Sequence, residues 1–375
     1  MKYIWLIIFL VLPLIGATYT AWRIWHVLPL ANCWRWTAIA LFVALFCSMF
    51  IGFSGAIEKM PLDTATVAYE VGNSFIFILL YLVMTFLALD LGRLLHIIPK
   101  SWLVNNVNTS LGILAVMFLV FVYGNMHYNN KVREQIDIKT NKEVALNDKS
   151  TAKIVLLSDL HLGYHNRRSE FKRWVDMINA EHPDLVLIAG DIIDISVRPL
   201  LEERVAEEFH RLKAPVYACL GNHEYYSGEP LAQQFYRKAG ITLLRDSVAK
   251  IGNIAVIGRD DRTNAHRHSL QDIMKQAKLT TDGNGGTKEF TILLDHQPYH
   301  LEEAEHSGID FQFSGHTHHG QVWPASWITD ALYEKAYGGL KKGDTQYYVS
   351  SGMGIWGGKF RIGTQSEYVV LTLSR

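Results

Sequence analysis

IVLLSDLH, residues 154–161, is a short apolar run closed by a polar cluster in which an aspartate and a histidine stand two positions apart. Four apolar residues bounded by a turn signal read as a buried β-strand and its exit loop. The same grammar recurs along the second half of the chain. Apolar, β-rich runs lie at Leu185 to Ala189, Val216 to Leu220, Ile254 to Gly258, Phe290 to Leu294, Phe311 to Phe313, Tyr347 to Val349 and Tyr368 to Leu373. Helical periodicity fills Glu170 to Ala180 and Leu200 to Leu212 between the first of them. Strand and helix alternating early, with mostly strands later, predicts an α/β domain whose sheets are covered by helices.

In such domains functional groups gather beyond the carboxyl ends of the strands. The polar clusters fall there: Ser158-Asp159-Leu160-His161, Gly190-Asp191-Ile192-Ile193-Asp194, Gly221-Asn222-His223-Glu224, Asp295-His296-Gln297 and Gly315-His316-Thr317-His318. One such cluster is an ordinary strand-terminating turn. Five in series, each offering Asp, His or Asn, point to a shared polar site. The last belongs to SGHTHHGQ, residues 314–321, with three histidines in four positions. Asp and His at alternate positions past a strand are expected to point the same way, and so are His316 and His318 if their turn stays extended. Gly190, Gly221 and Gly315 each precede a candidate ligand, where a sharp strand exit brings backbone close to the site.

The first third reads differently. Tyr3 to Trp22, Trp36 to Ile57, Val71 to Leu89 and the run ending at Tyr123 are almost free of charge. Each approaches the roughly 20 apolar residues that a helix needs to cross a bilayer. A cleaved signal peptide would account for the first run alone, whereas four runs predict a multi-pass membrane region over residues 1–126. Trp and Tyr at the run ends, such as Trp22, Trp36, Trp102 and Tyr123, suit interfacial belts. Asp90 and Arg93, three apart, read as an intrahelical ion pair, with a proton or substrate path as the other reading. Arg23, Arg35, Arg93 and Lys100 flank one set of loops and Lys2 and Lys59 the other, which puts both chain ends outside the cytoplasm. Lys131, Arg133, Lys139 and Lys142 argue the opposite way. Residues 127–150, polar and mixed in charge, read as a linker, and residues 151–375 as the α/β domain.

Lys and Arg total 36 against 36 Asp and Glu, so the basic excess of a nucleic-acid binder is missing and no such partner is expected. The three cysteines, Cys33, Cys47 and Cys219, show neither a disulfide framework nor zinc-site spacing. Carboxylate, imidazole and amide ligands without thiolate suit Mn, Fe or Zn.

The order D-x-H, G-D, G-N-H-E, a lone histidine after a strand, then G-H-x-H resembles the calcineurin-like metallophosphoesterase family over residues 151–375. Preceded by apolar helices, the chain is similar to that family's membrane-anchored branch. The resemblance implies a four-layer α/β/β/α sandwich behind an all-α region of about four transmembrane helices. It implies two metal ions, one on Asp159, His161 and His318, the other on Asn222, His296 and His316, with Asp191 bridging. It also implies a metal-dependent phosphoric ester hydrolase working by metal-bridged hydroxide, with His223 as the acid for the leaving oxygen and Asp194 orienting that imidazole.

Two departures bear on substrate preference. His319 stands where relatives have glycine, and Ser351-Gly352 stands where they have Arg-Gly, which removes one expected phosphate contact. Substrate contacts are expected from Arg167, Arg168, Tyr225 and Tyr226 and from the loop Arg259 to His268. The aromatic stretch Trp323 to Ile328 is a candidate for the lipid headgroup layer. A tethered phosphoesterase with an apolar lip predicts a lipid-linked phosphodiester, phosphomonoester or pyrophosphate and the bilayer as partner. Soluble nucleotides, or a non-catalytic metal sensor coupled to the helices, are the rival readings.

Overall fold

The computed structural model describes residues 11–146, 149–277, 279–280 and 286–375. The chain forms two compact units, Met1–Met126 with Gly357–Phe360, and His127–Trp356 with Arg361–Arg375.

The first unit is helical: α1 (Leu12–Val27), α2 (Asn32–Ser48), α3 (Leu62–Leu94) and α4 (Val107–Asn129). Ala17, Phe42, Phe75 and Leu79 give α1 to α3 a shared apolar core. Among the described residues α3, with 33 residues, and α4, with 23, are long and apolar enough to cross a membrane. The expected run from Trp36 to Ile57 ends as a helix at Ser48 and continues in 3₁₀ turns at Ile51–Phe53 and Ala56–Lys59, with Gly55 at a left-handed φ of 66° between the two turns. Residues 3–10 of the first apolar run lie outside the described residues. The expected Asp90–Arg93 pair is replaced. Asp90 accepts the Tyr19 hydroxyl at 2.5 Å and is paired with Arg23. Tyr19 and Arg23 stand one turn apart on α1, so both donors meet one carboxylate.

The second unit holds β1 (Lys131–Lys139), β2 (Thr151–Leu157), α5 (Arg168–Ala180), β3 (Leu185–Ala189), α6 (Arg198–Glu202), α7 (Ala206–Phe209), β4 (Val216–Cys219), α8 (Asn222–Tyr226), α9 (Glu229–Lys238) and β5 (Thr242–Leu243). Then follow β6 (Ser247–Ile251), β7 (Ile254–Gly258), α10 (Leu270–Gln276), β8 (Phe290–Leu294), α11 (Glu302–His306), β9 (Phe311–Ser314), α12 (Ala325–Leu332), β10 (Gly338–Lys342), β11 (Thr345–Val349) and β12 (Ser366–Ser374). They build two six-stranded sheets, ordered β1-β12-β2-β3-β4-β5 and β10-β11-β9-β8-β7-β6. Strands β2 to β5 run parallel in one sheet, and β7, β8, β9 and β11 in the other.

The two-residue period of a strand sorts the layers. Val155 and Leu157 of β2 face α5, α7 and α9, where Phe171, Trp174, Phe209 and Phe235 cover them. Ile154 and Leu156, one position out of phase, meet Ile292, Leu294, Phe311 and Phe313 of the opposite sheet. Leu293 points the other way, onto Leu270, Ile273 and Leu301. The result is an α/β/β/α arrangement whose central strands are buried on both faces. Two sequence expectations need correction. Residues 131–139, assigned to a linker, form edge strand β1 in register with β12, since only the partner strand decides whether a polar, alternating segment pairs. The helix expected over Leu200 to Leu212 is broken into α6 and α7, with Arg204 at a φ of 56° between them.

Candidate metal centre

Parallel strands deliver their following loops to one edge, so β2, β3 and β4 from one sheet and β8 and β9 from the other bring their exit residues together. Asp159, His161 and His318 converge with ligand atoms within 4.8 Å of one another, and so do Asp191, His296 and His316. One oxygen links the groups: Asp191 Oδ2 is 3.0 Å from His296 Nε2 and 3.7 Å from His161 Nε2. Asn222 Oδ1 lies 3.2 Å from His296 Nε2. The seven expected positions thus lie close together, with Asp191 in the group of His296 and His316 and Asn222 beside His296.

The backbone that achieves this is not the extended one expected. Asp159, His161, Asp191, His316 and His318 have φ of 54°, 44°, 52°, 71° and 48°. Non-glycine residues in the left-handed region each cost about 1 kcal/mol or more and cluster where a site over-determines them. Their backbone groups are tied down: Asp159 N–H donates to Gly190 O at 3.2 Å and His161 N–H to Asp191 O at 2.9 Å. The glycines leave room for the carboxylates. A Cβ on Gly221 would lie 2.2 Å from Asp191 Oδ1, and one on Gly315 2.2 Å from Asp159 Oδ2.

The donor chemistry fits divalent cations. His296 Nδ1–H donates to Ala189 O at 2.8 Å, which aims Nε2 at the oxygens of Asp191 and Asn222. Burial acts against a charged His296, but Asp191 raises it well above the usual imidazole range. His161 Nε2 and His318 Nε2 face each other at 3.1 Å, and burial together with His161 holds His318 well below the usual imidazole range, so it is neutral. Burial and His296 likewise push His316 down to about 3. Burial opposes charge on Asp191, yet His296 and His223 hold its carboxyl well below the usual range. Buried imidazoles and carboxylates aimed at common points are what cations satisfy. The residues fit divalent metal ions.

Asp194 Oδ1 is 3.2 Å from His161 Nδ1 and 3.3 Å from His223 Nδ1. One carboxylate thus lies between two imidazoles, and Asp194, His161 and His223 form a third group whose ligand atoms lie within 4.8 Å of one another. Burial acts against a charged His223, but Asp191 and Asp194 raise it to about 9.

A family model described as calcineurin-like phosphoesterase matches residues 152–320. An uncharacterized metallophosphoesterase of Campylobacter jejuni is 31% identical over 263 residues, 69% of this chain and 68% of the relative. The chain belongs to the calcineurin-like phosphoesterase family. Another uncharacterized metallophosphoesterase, of Aquifex aeolicus, is 31% identical over 225 residues, 59% of this chain and 84% of the relative. A Danio rerio relative called transmembrane protein with metallophosphoesterase domain is 28% identical over 365 residues, 92% of this chain and 81% of its own.

Not every expected contact of this phosphoesterase faces the centre. Arg167 and Arg168 are taken up by Glu203, Glu207 and Glu208, because α6 and α7 bring those acids against the start of α5. The Tyr225 hydroxyl donates to Asp260 at 2.6 Å and accepts from Arg245. Tyr226, 65% exposed, stacks edge-on 5.2 Å from His223 and is the best placed of the four. His319 turns away to lie flat on Tyr337 at 4.9 Å, with Nε2 3.4 Å from Asp330.

Two positioning residues escaped the sequence reading. Glu224 is fully buried and accepts the N–H groups of Asp191, Ile193 and Gly221 at 3.0, 3.0 and 2.7 Å. Burial and Asp191 raise its carboxyl to about 7. Its place in G-N-H-E was the available signal. Arg361, also fully buried, donates to the carbonyls of His318, Ser351 and Gly354 at 2.7, 2.5 and 3.2 Å. Gly354 in turn donates its N–H to Asp159 O at 2.9 Å. An arginine thus braces the last loop from beneath instead of reaching phosphate from Ser351, and no sequence pattern marked it.

Proposed function

We propose that this chain is a membrane-anchored, dinuclear metal-dependent phosphoesterase that hydrolyses a phosphodiester, phosphomonoester or pyrophosphate on a lipid-linked substrate. The observation that carries the reading is Asp191 Oδ2 placed between two imidazole-carboxylate groups, with His223 beside Asp194 at their edge. When bound, two such ions activate water and neutralise charge on the phosphoryl oxygens. The chain supplies the rest. Asp191 and Asp159 contribute the negative charge that retains cations, and Glu224 fixes the loop bearing Asp191. Asp194 Oδ1, 3.3 Å from His223 Nδ1, supports a charged imidazole there that would protonate the departing oxygen. A sensor that only binds metal needs neither His223 nor Asp194.

The lipid reading rests on exposed apolar groups following the G-H-x-H turn. Trp327, Ile328 and Leu332 of α12 are 65%, 62% and 68% exposed, an apolar lip suited to a headgroup boundary. The apolar surfaces of α1 to α4 and the loop charges support multi-pass anchoring with the α/β unit outside the cytoplasm. The test is Mn-supplemented hydrolysis of bis(p-nitrophenyl) phosphate by the detergent-solubilised chain, beside Asp191→Asn and His223→Ala, followed by lipid pyrophosphates and phospholipids. Turnover lost in both variants supports the hydrolase. A metal-loaded chain inert on every ester would favour the sensor.

A further inference from the structure

A cleft of about 540 Å³ opens beyond the carboxyl end of β7. Arg259, Arg262, Arg267, His268, His300 and His306 line it, and Glu303 is the acid on its wall. Strand β7 neighbours β8, which carries His296, and β8 neighbours β9, which carries His316; all three run parallel. The cleft therefore sits on the same sheet edge as the metal centre, at a step of about 5 Å per strand. Side chains connect the two. The Arg262 guanidinium lies 5.2 Å from the Tyr299 ring, Tyr299 is 4.8 Å from Tyr333, and Tyr333 is 6.3 Å from His316.

The charges in the cleft do not balance. Arg259 bonds Asp295 and Glu303 at 3.1 and 2.6 Å, and Arg267 takes the other Asp295 oxygen at 3.1 Å. Both acids are thereby used. Arg262 has no carboxylate among its hydrogen-bond partners in the described residues, and its buried Nε has no partner. Burial, then Arg267, acts against its charge. An arginine held beside two others without its own acid is stabilised by an anion from outside, and its planar fork suits phosphate.

We propose that this cleft is a second anion site, in which Arg262, supported by Arg259 and Arg267, binds a phosphate group other than the one being cleaved. The inference deepens the phosphoesterase reading and rests on it for the claim that the substrate carries that second phosphate. A free phosphate ion presents the same chemistry, so two measurements on the full-length, metal-loaded chain separate the sources.

In the first, thymidine 5′-(p-nitrophenyl phosphate) is compared with the same diester bearing a 3′-phosphate. The second phosphate is expected to lower KM at least fivefold in the native chain. Arg262→Gln is expected to erase that preference, and Arg262→Lys to restore part of it. In the second, calorimetric titration with inorganic phosphate is expected to find two phosphates per chain natively and one in Arg262→Gln. Two phosphates without a diester preference assign the site to free phosphate. Unchanged stoichiometry together with an unchanged preference overturns the proposal. If neither diester is hydrolysed yet the Arg262-dependent phosphate persists, the hydrolase reading falls and the anion site stands.

Discussion

The two units share an apolar character and use it in opposite ways. In the α/β unit the strand residues Ile154, Val155, Leu156, Val186 and Ile292 are fully buried, and the sheets spend their hydrophobic faces on each other and on helices. In the helical unit Trp36, Leu41, Leu114, Phe118 and Leu119 are 65%, 62%, 64%, 68% and 64% exposed. Contiguous exposed apolar surface of this kind marks a site of contact with a partner or a membrane. Buried charge is reversed as well. The α/β unit gathers Asp159, Asp191, Asp194 and Glu224 with almost no exposure, a concentration that only cations and a ring of donors make tolerable.

The hardest test of this contrast is Asp191→Asn. With the linking charge gone, bound metal measured by emission spectrometry should fall and ester hydrolysis should drop to background. His223→Ala should cost about 10²–10⁴-fold in kcat while metal content holds; loss of metal instead would make His223 a ligand. On the helical side, Leu114→Arg places a charge on an outward surface. It should oppose insertion by about 2.5–3.5 kcal/mol if that surface meets lipid, seen as protein released by alkaline carbonate, and should change nothing if the surface meets water.

Smaller effects probe the supports. Glu224→Gln replaces the acceptor of three N–H groups and should lower α/β-unit stability by about 1–3 kcal/mol and metal affinity about 10–100-fold, read by melting with and without chelator. Smallest is Glu181→Gln. Burial opposes charge there, but Arg133 and Lys153 lower the Glu181 carboxyl to about 2. A lowered value stabilises above the unfolded pKa, near 4.5. The difference between native and variant, within about 1 kcal/mol, should persist at pH 7 and vanish as pH falls from about 4.5 towards 2.

The order of strand-end clusters was enough to place Asp159, His161, Asp191, Asn222, His296, His316 and His318 together, because parallel strands deliver their exits to one edge whatever the details between them. Hydrophobic period likewise marked the central strands within a residue or two. What stayed hidden depends on partners distant in sequence. Arg167 and Arg168 look free in a sequence and are neutralised by acids that α6 and α7 carry in. Edge strand β1 exists only because β12, more than 200 residues on, offers a ladder. The left-handed backbone at five ligand positions, and the buried braces Glu224 and Arg361, also needed the folded chain. Residue type and order determined which groups could do chemistry here. Tertiary structure alone decided which charges were already neutralised and which, like Arg262, were left without an acid, since electrostatic pairing is set by distance through space.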